Sequence, residues 1–317
     1  MRAIGGELEL KINDHSSYFT DSGRSSLRLF LRSFDNKSKK YLIPNFLCEI
    51  VESVFIQEGI DYDFYNVFED LSIEIESIKE KEFDVLYIIN YFGKYTDISS
   101  IELEDRILIE DNVFFYNFEN YNKAKNWYAF NSFRKVSPLP DGSLIKTTIE
   151  IEEQLIQNKE SEFYKTKLEA KNIKYEHVNN DRFFESDYLE KFTKAETILD
   201  KQTEIYKMSN ISLENSLSFN IEKEQKIRKS RFEKLYLLFG EYCINEDPDF
   251  YSFFVMKIEN RDAFRKNLMD ENIFLPIHWP QSTQSNILYQ EIISIPLFEI
   301  YADIEFDYLT NKIKAIL

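Results

Sequence analysis

The chain has 317 residues, 43% of them hydrophobic and 30% charged, which is typical of a globular protein with room for two domains. Its formal net charge of −17 argues against nucleic acid as a partner, because phosphate backbones are bound by basic surfaces. Two cysteines and three histidines offer neither a disulfide framework nor a metal-ligand spacing, so we expect no metal and a reducing, cytoplasmic setting. No apolar run is long enough to predict a membrane span, and the N-terminal charges come too early for a signal peptide.

The first strong local signal lies at Ser22 and Gly23. A polar lead-in precedes it, in which residues 7–11 are predicted as a short strand. Ser22 and Gly23 have the pattern of a helix start, because apolar side chains follow from Leu27 onward. Free N–H groups and the helix dipole at such a start attract an anion, although a plain N-cap without a ligand is the alternative.

Short apolar strands and helices alternate from there to residue 147. Strands are predicted at residues 41–44, 60–67, 85–90, 107–109 and 142–146, and helical segments at residues 45–55, 71–81 and 98–103. This alternation predicts an α/β fold with a mostly parallel open sheet flanked by helices.

The remainder of the chain differs in pattern. Residues 148–190 are charged and predicted to be mostly helical. Helices are then predicted at residues 192–206, 221–239, 261–269 and 303–316, with strands at residues 251–258 and 292–297. We therefore predict a large α/β domain of residues 1–187 and a smaller C-terminal α+β domain of residues 188–317.

Asp111 and Lys135 are the first residues in the sequence that indicate a catalytic site. The strand at residues 107–109 ends in Glu110 and Asp111, at the edge where open α/β sheets build ligand sites. If Lys135 lies close to Asp111 in space, the lysine could form a Schiff base with pyridoxal phosphate (PLP). The acid would keep the pyridine nitrogen protonated, which makes PLP an electron sink. A helix-capping acid and a solvated loop lysine are the ordinary alternatives.

Several local motifs occur together in one order. They are SGRSSL at residues 22–27, Tyr-Phe-Gly at residues 91–93, Asp111, Ser-Phe-Arg-Lys at residues 132–135 with Asp141 and Gly142 after it, and His-Trp-Pro at residues 278–280. In this order they resemble the PLP-dependent sugar aminotransferases of the DegT/DnrJ/EryC1/StrS family, which have fold type I of the aspartate aminotransferase class. The resemblance covers residues 18–317 and implies that the large domain binds PLP.

The resemblance also implies roles for individual residues. Lys135 would carry the cofactor and, once displaced from it, act as general acid and base. Asp111 would pair with the pyridine nitrogen, while Tyr91 and His278 would contact substrate. The implied cofactor-binding residues are Ser22, Gly23, Arg24, Ser25, Cys48, Phe114, Ser132 and Lys135.

The chain departs from the family pattern at three of these positions. Phe114 stands where the family has Gln or His on the ring hydroxyl, and Cys48 where an aromatic residue stacks on the ring. Arg24 replaces a phosphate-binding threonine, although its guanidinium can pair with phosphate. These departures fit an active but divergent enzyme, or a member that has lost turnover.

The function implied is transfer of an amino group from a donor such as glutamate to a nucleotide-linked keto-sugar. The product would feed polysaccharide or lipopolysaccharide assembly, and the enzyme would be a homodimer with its site at the subunit boundary. The alternative is a catalytically silent relative that binds a sugar nucleotide or a partner protein. A dehydratase of the same fold is disfavoured because Lys135 is present.

Overall fold

The computed structural model describes residues 15–34, 38–279 and 284–317. The strand predicted at residues 7–11, and Pro280 of the predicted His-Trp-Pro segment, lie outside these ranges. Within the described ranges, no helix is long and apolar enough to cross a membrane.

The strands and helices have the following bounds. In chain order the strands are β1 Ser16–Thr20, β2 Tyr41–Pro44, β3 Tyr62–Tyr65, β4 Val85–Ile89, β5 Ile107–Asn112, β6 Asn126–Asn131, β7 Ser143–Thr147, β8 Ile156–Gln157, β9 Ile205–Tyr206, β10 Phe253–Lys257 and β11 Ile292–Pro296. The helices are α1 Gly23–Ser33, α2 Glu49–Glu58, α3 Ile75–Lys79, α4 Phe133–Val136, α5 Glu162–Asn180, α6 Glu185–Lys201, α7 Asn210–Ser218, α8 Ile221–Phe239, α9 Arg261–Met269, α10 Leu288–Glu291 and α11 Asp303–Ile316.

The large domain is built on a seven-stranded sheet in the order β1-β7-β6-β5-β4-β2-β3. The strands from β6 to β3 pair in parallel, while at one edge β7 pairs antiparallel with β6 and β1 pairs antiparallel with β7. The prediction of a mostly parallel α/β sheet, with the strand after Gly142 joining it, is confirmed. Strands β1 and β6 were not predicted, because each has a short apolar run bounded by polar residues. The carboxyl ends of β4, β5 and β6 meet at one edge of the sheet.

The C-terminal unit is joined to the large domain through the two-stranded antiparallel sheet of β10 and β11. Alternate side chains of a strand point to opposite faces. Phe253 and Val255 therefore join the core of the large domain, whereas Phe254 and Met256 join a second core with α8, α9 and α11. This second core begins at Phe232 in the sequence.

The predicted domain boundary at residue 187 falls inside α6. Helices α5 and α6 pack against each other as a hairpin, around a small apolar cluster of Phe163, Ala195 and Leu199. A boundary inside α6 would divide one hydrogen-bonded helix, so we propose that the boundary lies after this hairpin.

Gly93 is required by a close approach between two chain segments. Its φ is +90°, and a Cβ there would lie 1.8 Å from the Phe250 carbonyl oxygen. We expect Gly93→Ala to lower the free energy of unfolding by roughly 3 kcal/mol or more, because backbone must move. Gly59→Ala is the matched control: Gly59 has φ +67° with nothing within 4 Å, so about 1 kcal/mol is expected. Urea denaturation giving equal losses would contradict the close-approach argument.

Strand β5 also carries a buried carboxyl group on the face opposite Asp111. Glu110 accepts hydrogen bonds from Asn122 Nδ2 at 2.9 Å and from the Trp127 indole N–H at 3.0 Å. Burial raises the pKa of Glu110 to about 7, although these hydrogen bonds oppose the rise.

The raised pKa of Glu110 predicts a pH-dependent stability. Between the usual pKa of 4.5 and about 7 the folded state binds more protons than the unfolded state. The stabilisation that comes from the protonated Glu110 is thus fully present below pH 4.5 and is lost as pH rises through about 7. Urea denaturation across that window should show a steeper fall of the free energy of unfolding in wild type than in Glu110→Gln, in which Asp111 still contributes a slope of the same sign. The same slope in both would contradict the assignment to Glu110.

Candidate active site

A cavity lies at the carboxyl ends of β4, β5 and β6, the edge at which open α/β sheets build ligand sites. Its walls come from the start of α1, the start of α2, the ends of the three strands and α4. Because parallel strands deliver their following residues to one edge, side chains far apart in sequence converge there. Among the sequence-predicted residues, the cavity is lined by Ser22, Gly23, Arg24, Cys48, Asp111, Ser132 and Lys135.

Asp111 is held at the end of β5 with only 4% of its surface exposed. Its Oδ2 accepts a hydrogen bond from the Tyr87 hydroxyl at 2.5 Å, and its Oδ1 accepts one from the Val113 backbone N–H at 3.0 Å. Burial raises the pKa of Asp111 to about 6, while Tyr87, Val113 and the charge of Lys135 oppose the rise. A carboxylate has about four lone-pair positions, so Asp111 can still accept a hydrogen bond from a ligand.

Lys135 stands on the short helix α4, which begins after Ser132. Burial makes the largest contribution and lowers the pKa of the Lys135 ammonium, because the charged form loses its water. The Arg134 guanidinium lowers the pKa further, whereas Cys48 and Asp111 oppose the shift. A lysine with a lowered pKa is more often a neutral amine, which is the form that attacks a carbonyl carbon.

The end of the cavity beside α1 is rich in positive charge. Arg24 pairs with Asp200 at 2.6 Å, and Arg134 and Lys167 share Glu196 at 2.8 and 2.6 Å. Burial raises the pKa of Glu196, but these neighbouring cations bring it down to about 2. Within a protein of net charge −17, a local excess of cations favours an anionic ligand.

Two further observations support an anion at this end. Burial, with the charges of Lys167 and Lys174, lowers the pKa of Lys171 to about 8, so positive charge is crowded here. Arg134 Nε is buried and has no hydrogen-bond partner among the described residues. Buried donors are nearly always paired, so Arg134 Nε has an unused capacity for an acceptor. Arg134 was not predicted as a site residue. Its position directly before Lys135 in the sequence was the signal that could have indicated it.

Ser25 and Tyr91 do not line the cavity, and the cofactor and substrate contacts predicted for them stay predictions. The Ser25 hydroxyl donates to Asp21 Oδ1 at 2.6 Å, because this buried carboxyl group requires donors. The Tyr91 hydroxyl donates to the Phe46 carbonyl oxygen at 2.5 Å, within the aromatic packing. Both hydroxyl groups therefore bind other groups of the protein next to the site.

Phe114 and His278 also lie behind the cavity wall. The Phe114 ring is 5.1 Å from Lys135 Nζ and 5.2 Å from the His278 ring. His278 Nδ1 lies 2.9 Å from Ser294 Oγ, and burial, with the charge of Lys135, lowers the pKa of His278 well below its usual value. The low pKa favours the neutral imidazole of His278, which does not line the cavity, and the substrate contact predicted for it stays a prediction.

Tyr87 and Trp279 line the cavity but were not predicted to do so. Ile89 of β4 pairs with Asp111 of β5, and Tyr87 shares a face with Ile89 because strand side chains alternate. That alternation was the signal for Tyr87. Trp279 lies within the His-Trp-Pro motif, in which only His278 was predicted to contact a ligand.

No protein-family model matches the sequence, and no curated protein matches it. Among solved structures, a DegT/DnrJ/EryC1/StrS aminotransferase from Brucella abortus matches with a TM-score of 0.63 at 14% identity, covering 94% of this chain and 85% of the other. NtdA from Bacillus subtilis with the bound cofactor PMP matches with a TM-score of 0.63 at 14% identity, covering 95% of this chain and 73% of the other. The PLP form of Spr1654 from Streptococcus pneumoniae, assigned as a sugar aminotransferase, matches with 0.62 at 12% identity, covering 95% and 86%. The chain is therefore similar to these aminotransferases over nearly its whole length, and it has their fold.

Proposed function

We propose that the protein is a PLP-dependent aminotransferase. It moves an amino group from a donor such as glutamate to a nucleotide-linked keto-sugar, for polysaccharide or lipopolysaccharide biosynthesis. The observation that carries the proposal is that Asp111 and Lys135 face one cavity, at the end of which lies a cluster of cations. The names of the proteins that share the fold support the same reaction class.

The residues present fit the polar groups of PLP. Arg24, Arg134 and Ser132, with the first N–H groups of α1, would hold the phosphate; the Ser132 hydroxyl is not used to cap α4. Asp111 would accept the ring N–H, and the Lys135 amine would bond to the aldehyde carbon. Bound in this way, PLP supplies an electron-withdrawing ring that stabilises negative charge on the reacting carbon.

The side chains then have distinct tasks in the transfer. Asp111 holds a proton on the ring nitrogen, and the free Lys135 Nζ takes a proton from the α-carbon of the donor. The apolar side chains of Leu27, Val54 and Phe130 line the cavity and exclude water from it. In the net reaction glutamate and a keto-sugar become 2-oxoglutarate and an amino-sugar. The sugar gains the amino group, and the former donor gains the carbonyl oxygen.

The test is a half-reaction. Adding glutamate to the PLP-loaded protein should remove the visible absorbance of the bound cofactor and release 2-oxoglutarate, detected by mass spectrometry. Adding a nucleotide-linked keto-sugar should then restore the absorbance and produce the amino-sugar. A protein that holds PLP on Lys135 but reacts with no amino donor would instead be the silent relative.

We also propose a homodimer. Large apolar side chains are exposed on the surface, among them Leu217 at 82% and Leu237 at 86% exposure, and a second subunit would cover such surface. Light scattering at micromolar concentration should give twice the mass of one chain. A monomer under those conditions would contradict the proposal.

A further inference from the structure

Trp279 has a buried hydrogen-bond donor with nothing to bind. It lines the cavity and is 4% exposed, and its ring packs 5.0 Å from Phe46 and 5.7 Å from Tyr91. Its indole Nε1 has no hydrogen-bond partner among the described residues. The other tryptophan, Trp127, donates to Glu110 at 3.0 Å, which is the usual arrangement for a buried indole.

The backbone of Trp279 is also strained. Its φ of +58° lies in the left-handed region, which bulky side chains rarely adopt. Such strain is concentrated at ligand-binding sites, where the surrounding structure holds a side chain in a required position. The unpaired donor and the strained backbone occur at one residue, and both are explained if a ligand atom accepts the indole proton.

The polar groups of PLP identify the acceptor, so the inference rests on the proposed function. In the proposed function the phosphate would be held by the cations around Arg134, the ring nitrogen by Asp111, and the aldehyde carbon by Lys135. The phenolic oxygen is the remaining strong acceptor. Phe114, whose ring lies 6.0 Å from that of Trp279, offers it no donor.

We propose that Trp279 donates its indole N–H to the phenolic oxygen of bound PLP. The hydrogen bond orients the ring between Asp111 and Lys135. It also stabilises negative charge on the phenolic oxygen. This oxygen competes for a proton with the nitrogen that Lys135 bonds to the aldehyde carbon. Removing the donor should therefore weaken PLP binding and move the pH titration of the visible band to higher pH.

The first test observes the donor directly. The chain has two tryptophans, so protein labelled with ¹⁵N at the indole nitrogen gives two side-chain N–H resonances. The one absent from Trp279→Phe belongs to Trp279. We expect PLP to move this resonance downfield and to leave that of Trp127, the internal control, in place. Inorganic phosphate, which fills the cationic end alone, should move neither.

Two outcomes overturn the inference while leaving the proposed function intact. The Trp279 resonance could stay in place although the visible band and borohydride trapping show PLP on Lys135, or inorganic phosphate alone could move it. If PLP gives neither band nor adduct, the proposed function fails and the inference fails with it.

The second test uses Trp279→Phe, which keeps an aromatic ring but removes the indole donor together with part of the ring system. PLP affinity should fall about tenfold, the usual size of one hydrogen bond to a charged oxygen. The visible band should titrate at higher pH, a change that a purely structural role would not cause. The thermal midpoint of the PLP-free variant controls for folding. Unchanged affinity together with an unchanged titration would overturn the inference.

Discussion

Lys135→Ala is expected to abolish both covalent attachment of PLP and amino transfer. The amine is the proposed attachment point and the proposed acid and base, so the rate should fall roughly 10³-fold or more. The fold should survive, because burial disfavours the Lys135 ammonium and its removal leaves no carboxylate without a hydrogen bond. The rate of 2-oxoglutarate formation and the thermal midpoint are the measurements.

Lys125→Ala is the matched control for this substitution. Lys125 is an exposed lysine that pairs with Asp105 at 2.9 Å and does not line the cavity. It should keep full activity and the visible band. A Lys135→Ala protein that retains turnover would show that another group performs the chemistry.

Asp111→Asn is expected to fold normally and to hold PLP, yet to lose most of the transfer rate. Asparagine has nearly the same size and can still accept the Val113 N–H, but it carries no charge to keep a ring nitrogen protonated. Removing a charge aimed at the reacting ring should lower the rate by about 10²- to 10³-fold. The measurement is a single turnover of PLP-loaded protein with glutamate.

Asp105→Asn is the control for Asp111→Asn, since Asp105 is exposed and lies outside the cavity lining. It should react at the wild-type rate. If Asp111→Asn also reacts at that rate, Asp111 is not the partner of the ring nitrogen.

The elements that could be predicted are those whose pattern is local. Helices α8, α9 and α11 have the predicted bounds, because their helical periodicity marks both ends. The parallel sheet followed from the alternation of strands and helices. By contrast, β6 owes its place to pairing with β5 and β7, which its own short apolar run does not reveal.

The candidate site also contains residues that were predicted from the sequence and arrangements that were not. Asp111 was predicted from its place at the end of an apolar strand, whereas Lys135 was predicted from its spacing to Asp111 and Gly142 and from the family resemblance; both line one cavity at the edge of the sheet. The bond between Tyr87 and Asp111 depends on register between strands, and Ser25 turns to Asp21 through side-chain packing. The left-handed backbone of Trp279 is seen only in the folded structure, where its ring packs against Phe46 and Tyr91. None of these three arrangements has a local sequence pattern.

The most direct test of the account is to locate the covalent bond to PLP. Wild-type protein is loaded with PLP, reduced with borohydride and digested, and the modified lysine is identified by mass spectrometry. We expect one modified lysine, Lys135. Modification of Lys167 or Lys171 in the neighbouring cationic cluster instead, or no modification at all, would contradict it.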